Sequence, residues 1–305
     1  MTNKQSTLIN TSLPLPLFIR GKVRDTYALG DLLLIIATDR ISAFDSVLPS
    51  GIPDKGRVLN QLSAFWFKKT KNLVPNHLIE VIDDPHSLDT YLPAKSRSPY
   101  PAYLAGRSMI VKKVKRIPVE CEVRGYLTGS AWESYRQSGS IFGLPMPKGL
   151  KESQELPELL FTPTTKAETG HDQRLTMDEV KKLVGEALAE EIREKSLSIY
   201  SYALKYALSK GIIIADTKME FGLDDGRLIL IDELLTPDSS RFWDAKQYKV
   251  GQSQPSYDKQ PVRDWLVKAG WNKEPPAPPL PPEVIKATTR RYREAYEKLT
   301  GRKLK

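Results

Sequence analysis

One cysteine, Cys121, is all the thiol in this chain, so no intrachain disulfide is possible and a reducing compartment is expected. Long apolar runs are missing too. The longest, Leu32–Ala37, falls far short of the ~20 residues needed to cross a bilayer. The opening stretch MTNKQSTLINTSLPLPLF lacks the charged-then-apolar order of a secretory signal, so the expected location is the cytoplasm. No internal repeat is visible. Dense basic tracts are confined to 112–116 and 290–293, with Tyr292 the one aromatic among them, so no nucleic-acid partner is expected, nor a membrane one. A Walker A loop is also absent. Gly51-Ile52-Pro53-Asp54-Lys55-Gly56-Arg57 has its glycine spacing, but Pro53 interrupts it and Arg57-Val58 stand where Lys then Ser/Thr are required.

What remains is ordinary globular composition. The chain has 305 residues, 40% hydrophobic and 27% charged, enough for a large core and two lobes. Forty-six Lys+Arg against 37 Asp+Glu give a net charge of +9, which favours anionic ligands.

The chain is organised around residues 212–243. Ile212-Ile213-Ile214-Ala215 is an apolar run without alternation, the pattern of a strand buried on both faces. It continues into Asp216-Thr217-Lys218-Met219-Glu220-Phe221-Gly222. Side chains alternate along a strand, so Asp216, Lys218 and Glu220 share one face and Thr217, Met219 and Phe221 the other. Buried ionisable groups are costly unless they pair or bind something. A hairpin signal at Asp224-Asp225-Gly226 and a second strand from Leu228 to Ile231 return Asp232 and Glu233 toward the first set. Carboxylates gathered this way suit magnesium on a nucleotide. A solvated edge hairpin would carry the same charges.

Two other stretches suit anions. Gly21, Lys22 and Arg24, at the start of a hairpin running into the strand 32–38, combine a close-approach glycine with cations. In 117–132 a strand leads into a glycine-containing loop with Arg124 and Ser130, the latter expected to cap a helix. Residues 39–45 are expected to be a loop at a strand end. An amphipathic helix is expected over 58–69 and a strand over 108–114. Residues 144–165, rich in Pro, Lys and Glu, read as a surface excursion. Thr176-Met177-Asp178-Glu179 is a capping box opening a helical pattern that Gly211 stops. Helices containing Trp265 and spanning 283–299 flank a stiff proline-rich spacer.

The motifs IPVECEVRGYLTGS (117–130) and IIIADTKMEFG (212–222), with RGKVRDTY (20–27), ATDRISAFD (37–45) and DELLTPDSSRFW (232–243), resemble the SAICAR synthetase family in its longer, single-function form. The resemblance implies an α+β fold similar to the ATP-grasp enzymes, with a β-rich N-terminal lobe over an α+β lobe and ATP in the cleft. The implied layout is an extension at 1–15, an ATP-binding lobe at 16–115, a substrate- and metal-binding lobe at 116–270, the spacer at 271–282 and a terminal helix at 283–305. The implied reaction joins L-aspartate to the carboxylate of carboxyaminoimidazole ribonucleotide (CAIR), using ATP and Mg²⁺, in de novo purine biosynthesis. A small-molecule kinase would share the ATP cleft but need no aspartate.

By the same resemblance Gly21, Lys22, Val23 and Arg24 cover the ATP phosphates, and Lys112, Lys113 and Val114 lie near adenine. Glu220 and Asp232 serve ATP and metal together. Lys218 is catalytic, with Asp216 close by. Arg124, Ser130 and Arg241 clamp the CAIR phosphate, where a planar guanidinium suits bidentate binding. Asp45 and Asp238 complete that pocket, while Lys166, His171 and Asp172 are assigned to aspartate. A monomer is expected.

Hairpin register bears on the metal reading. A three-residue loop at Asp224-Asp225-Gly226 sets Asp232 opposite Lys218 and diagonal to Glu220, and Gly226 suits its left-handed position. A two-residue turn would face Glu220 with Ile231 and send Asp232 to the other side. The metal reading calls for the first.

Overall fold

The computed structural model describes residues 7–44, 46–93, 97, 99–166 and 172–304. The chain divides into two compact units, one formed by Met1–Lys68, His77–Lys113 and Tyr257–Lys305, the other by Lys69–Asn76 and Val114–Ser256.

In the first unit β1 (Leu17–Arg20), β2 (Arg24–Leu29) and β3 (Leu32–Ala37) form an antiparallel meander. Gly30, at φ 66, makes the turn between β2 and β3. Residues expected to form a loop are instead a second hairpin, β4 (Arg40–Ala43) with β5 (Ser46–Gly51). The alternating Ile41 and Ala43 explain this, since both are buried. Helix α1 (Lys55–Thr70) buries Val58, Leu59, Leu62 and Trp66 at helical spacing. β6 (Leu78–Ile82) and β7 (Ser108–Lys112) complete a sheet ordered β1-β2-β3-β7-β6. Its core holds Tyr27, Leu34, Ile36, Ile82 and Ile110.

The second unit is built on β8 (Lys115–Tyr126). After it come α2 (Ser130–Ser138), the short pair β9 (Ser140–Ile141) and β10 (Leu144–Pro145), then β11 (Glu155–Phe161) and β12 (Thr164–Thr165). The supposed surface excursion is therefore partly sheet, because β11 and β12 both pair with β8. The capping box of Thr176 and Glu179 opens α3 (Met177–Val184) as expected. The helical pattern then breaks at Gly185, at φ 88 and ψ 155, before α4 (Glu186–Ser209).

The central strand is β13 (Ile212–Asp224), and it is nearly all buried. It pairs with β8 along one edge. Along the other, β15 (Ser240–Asp244) covers its first half and β14 (Arg227–Ile231) its second. Tyr200 of α4 fixes its start by donating to the carbonyls of Ile214 and Ala215 at 2.5 and 3.1 Å. Gly125 of β8 leaves room for that phenol, since a Cβ there would lie 2.5 Å from the oxygen.

The chain then returns to the first unit with α5 (Gln260–Lys268) and α6 (Pro282–Thr300), the latter ended by Gly301 at φ 70. Val262, Leu266 and Leu280 pack with Ile41, Leu48 and Ile52 of the second hairpin. Arg293 on α6 pairs with Asp54 ahead of α1. No described helix is long and apolar enough to cross a membrane.

Candidate active site

β13 and β8 face each other as two rows of charge. Asp216 is opposite Arg124, Lys218 opposite Glu122, and Glu220 opposite Glu120. Alternation put Asp216, Lys218 and Glu220 on one face, and antiparallel pairing brings Glu120, Glu122 and Arg124 beside them on the neighbouring strand.

One end of the row is cationic. Arg124 is 1% exposed and gives Nη1 to Asp216 at 3.0 Å and Nη2 to Glu122 at 2.6 Å. Arg241, on β15, takes the same Asp216 carboxylate from the more exposed side. The Arg124 Nη2 also reaches Ser130 Oγ at 3.4 Å. Ser130 does not cap α2 as expected. Gly129 holds the cap position at φ 56, leaving Ser130 the first helical residue with its hydroxyl among guanidiniums. A Cβ at Gly129 would also lie 2.8 Å from Cζ of Arg241 and would push that guanidinium aside. Asp238 lies in the turn at 236–239 just ahead of β15, its amide donating to Thr236 Oγ1 at 3.1 Å.

A residue that sequence reading missed, Arg174, joins this end. It donates to Glu122 and, at 3.1 Å, to Ser130 Oγ. Burial alone would push the Glu122 carboxyl up, but Arg124, Lys218 and Arg174 hold it down to about 2. A depressed carboxylate contributes stability above its unfolded value of 4.5, and that contribution is lost as pH falls toward 2. Glu122→Gln should therefore flatten the fall in stability between those two pH values, as measured by urea unfolding at each pH. A wild-type slope retained in the variant would show that Glu122 is not its source.

The other end is acidic. Lys218 Nζ contacts Glu120, and Lys166 Nζ bridges Glu120 at 3.0 Å and Glu220 at 2.8 Å. Burial raises the Glu220 carboxyl, the charge of Asp232 raises it further, and Lys166 pulls it back only in part. Burial would lower Lys166, but Glu220, Glu120 and Asp232 outweigh it and raise it.

The hairpin register differs from the expected one. Asp224 pairs with Arg227 and Glu220 with Ile231, around a two-residue turn at Asp225-Gly226 with φ of 51 and 80. Both turn residues are left-handed, which the type I′ hairpin needs and the three-residue loop does not. Asp232 is nevertheless an electrostatic neighbour of Glu220, because it lies beyond the end of β14 at φ 65, where the alternation rule for a strand no longer applies.

The described residues contain no cluster of three or more His, Cys, Asp or Glu able to hold a metal. A magnesium ion on a nucleotide needs only one or two protein carboxylates, with phosphate and water supplying the rest. Glu220 and Asp232 fit that demand, being a repelling pair that Lys166 only partly offsets.

In the first unit, Gly21 N donates to Arg24 O at 2.8 Å in a tight turn. Arg40 holds this turn from below, giving Nη2 to Gly21 O at 3.0 Å, Nε to Lys22 O at 3.1 Å and Nη2 to Asp25 at 2.7 Å. Val23 is buried and its carbonyl accepts from Thr38, whereas Lys22 is exposed. Lys112 ends β7, and Lys113 lies with Nζ 5.2 Å from the Phe18 ring centroid. Val114 opens the longer segment of the second unit. Asp39 is a latch: its carboxylate accepts from Leu8 N and Gly56 N and pairs with Arg107. Asp172 is exposed. Asp45 and His171 lie outside the described residues.

Three guanidiniums gathered at the start of α2, on the sheet face that also carries Glu120 and Glu220, suit a protein that binds anionic small molecules. The family model for SAICAR synthetase matches residues 17–278. Phosphoribosylaminoimidazole-succinocarboxamide synthases of Thermodesulfovibrio yellowstonii and Syntrophobacter fumaroxidans are 53% and 50% identical, covering 97% and 99% of this chain and 100% and 98% of their own. The structure of SAICAR synthase from Saccharomyces cerevisiae complexed with SAICAR is similar at TM-score 0.88 and 48% identity, over 97% of this chain and 99% of that one. The structure of a SAICAR synthetase in complex with ADP is similar at TM-score 0.68 and 27% identity, over 94% and 99%. The chain belongs to the SAICAR synthetase family. Its activity is the ATP-dependent ligation of L-aspartate to CAIR in purine biosynthesis.

Proposed function

We propose that CAIR lies along the paired face of β8 and β13, with its phosphate at Arg124, Ser130 and Arg241 and its carboxylate near Lys218. The observation that carries this reading is the polarity of the face: cationic beside Asp216, acidic at Glu220, with Lys218 between. At about 3.3 Å per residue, Asp216 and Glu220 stand roughly 13 Å apart, room for a ribonucleotide laid lengthwise. Asp238 is proposed for the same pocket, and the assignment of Asp45 rests on the family resemblance alone.

Gly21–Arg24 and Lys112–Val114 are proposed for the nucleotide, the first for phosphates and the second for adenine, as the family resemblance implies. Glu220 and Asp232 would hold Mg²⁺, which when bound neutralises charge on the transferring phosphoryl group. Lys218 places an ammonium against the same developing charge. Lys166, with Asp172 and His171, is assigned to the aspartate side. The enzyme is proposed to act as a cytoplasmic monomer.

A carboxylate is a poor electrophile, so the proposed course begins with its phosphorylation. A CAIR carboxylate oxygen bonds to the γ-phosphorus as the bond from that phosphorus to ADP breaks. The neutral amine of aspartate then bonds to the acyl carbon, phosphate leaves with the oxygen it acquired, and the amine proton passes to solvent. CAIR labelled with ¹⁸O in its carboxylate should therefore deliver one label to the released phosphate, read by mass spectrometry. Unlabelled phosphate from a turning-over enzyme would reject acyl activation. A kinase would release ADP without aspartate and no phosphate at all.

A further inference from the structure

Arg124 and Arg174 meet on the same two groups, the Glu122 carboxylate and the Ser130 hydroxyl. One carboxylate needs one counter-charge, and the fully buried Arg124 already supplies it at 2.6 Å. Arg174 is the outer of the two, with its side chain about one-third exposed. Its backbone is fixed, not trailing: Arg174 bridges Thr164, and Leu175 N donates to Pro163 O at 2.9 Å. Its guanidinium lies 3.9 Å from the centroid of the Phe142 ring, and Nη1 donates to Thr162 O at 3.2 Å. Such stacking and forked bonding order a side chain that would otherwise lose much conformational freedom on binding a ligand. With Arg241 beside Gly129, three guanidiniums face two carboxylates, Glu122 and Asp216, at the start of α2. Glu133 in the first turn of α2 is exposed. The cluster therefore has positive charge left over.

We propose that Arg174 is a third guanidinium of the phosphomonoester clamp, held ready by Glu122 and Phe142, and that it binds the phosphate of the ribonucleotide substrate directly. This rests on the reading of Arg124, Ser130 and Arg241 as the phosphate end of the site. The consequence is a clamp assembled from three chain segments, β8 with the start of α2, the stretch ahead of α3, and β15.

The test is calorimetric titration of CAIR, and separately of ATP, into wild type, Arg174→Met, Arg174→Lys and the pair Glu122→Gln/Arg174→Met. The pair removes Glu122 together with the partner it would lose, so it reports on Arg174 even where the single variant folds poorly. Loss of one charge-assisted, forked contact should weaken CAIR binding about 10- to 100-fold, with ATP binding within a few-fold. Lysine should recover only part, since an ammonium lacks the fork. The penalty should disappear when the 5′-dephosphorylated nucleoside of CAIR is the probe. Normal CAIR binding by the pair, with Arg241→Ala impaired, overturns the role of Arg174 and leaves the clamp standing. Normal binding in both would show that the phosphate lies elsewhere.

Discussion

Glu220→Gln and Asp232→Asn should each reduce turnover by about 100-fold or more while leaving the fold intact. Each change keeps the side-chain shape and removes one negative charge, so the loss falls on stabilisation of the transition state and not on packing. Stability should move the other way. The Glu220 carboxyl is raised by burial and by Asp232, so its ionised form costs stability at neutral pH. Glutamine removes that cost, and Glu220→Gln should melt at a higher temperature than wild type in metal-free buffer at pH 7. The two measurements together separate the proposed site from a merely solvated hairpin, which predicts near-normal turnover. Near-normal turnover in both variants at saturating magnesium would end the metal assignment.

The second large effect belongs to Arg124. Arg124→Met leaves Asp216 and Glu122 buried with one partner fewer each, and breaking such a pair costs about 3–5 kcal/mol. Denaturant unfolding should show that loss in the absence of any ligand. Arg241 shares the Asp216 carboxylate, yet its side chain is about one-quarter exposed. Arg241→Ala should thus cost far less stability while weakening CAIR binding roughly 10- to 150-fold, with ATP affinity within a few-fold. If both variants lose stability equally, burial has not distinguished the two arginines. If ATP binding collapses while CAIR binding survives, the two substrates have been assigned the wrong way round.

How much of this could be read from the chain follows from the range of each signal. The strand from Ile212 through Gly222 and its charged face are local, a period of two written into consecutive residues, and they stand in the structure as read, with the strand running on to Asp224. Glu120 and Glu122 carry the same alternation with Arg124, and that pattern would have flagged them. What it could not give is the partner, because the pairing joins strands nearly a hundred residues apart in sequence. Arg174 left no local trace, since it sits in a polar stretch and is fixed by a bridge to Thr164. β11 was hidden by its proline and glutamates and β12 by being only two residues long, and both are strands because the edge of β8 accepts them. The hairpin register was a choice between two turns that Gly226 permits, and the left-handed Asp225 decided it.

The long strand β13 has a consequence for how this protein can change. Its odd-numbered residues Thr217, Met219 and Phe221 are core, and its even-numbered Asp216, Lys218 and Glu220 form the charged face proposed for the substrates, so the two are interleaved like two messages sharing one reading frame. A single inserted or deleted residue between 216 and 221 would put charges into the core and turn methionine and phenylalanine onto the charged face, disrupting both at once. Substitutions can tune either message separately. Changes of length are confined to the turn at Asp225-Gly226, beyond the last paired residue, where the frame has already ended.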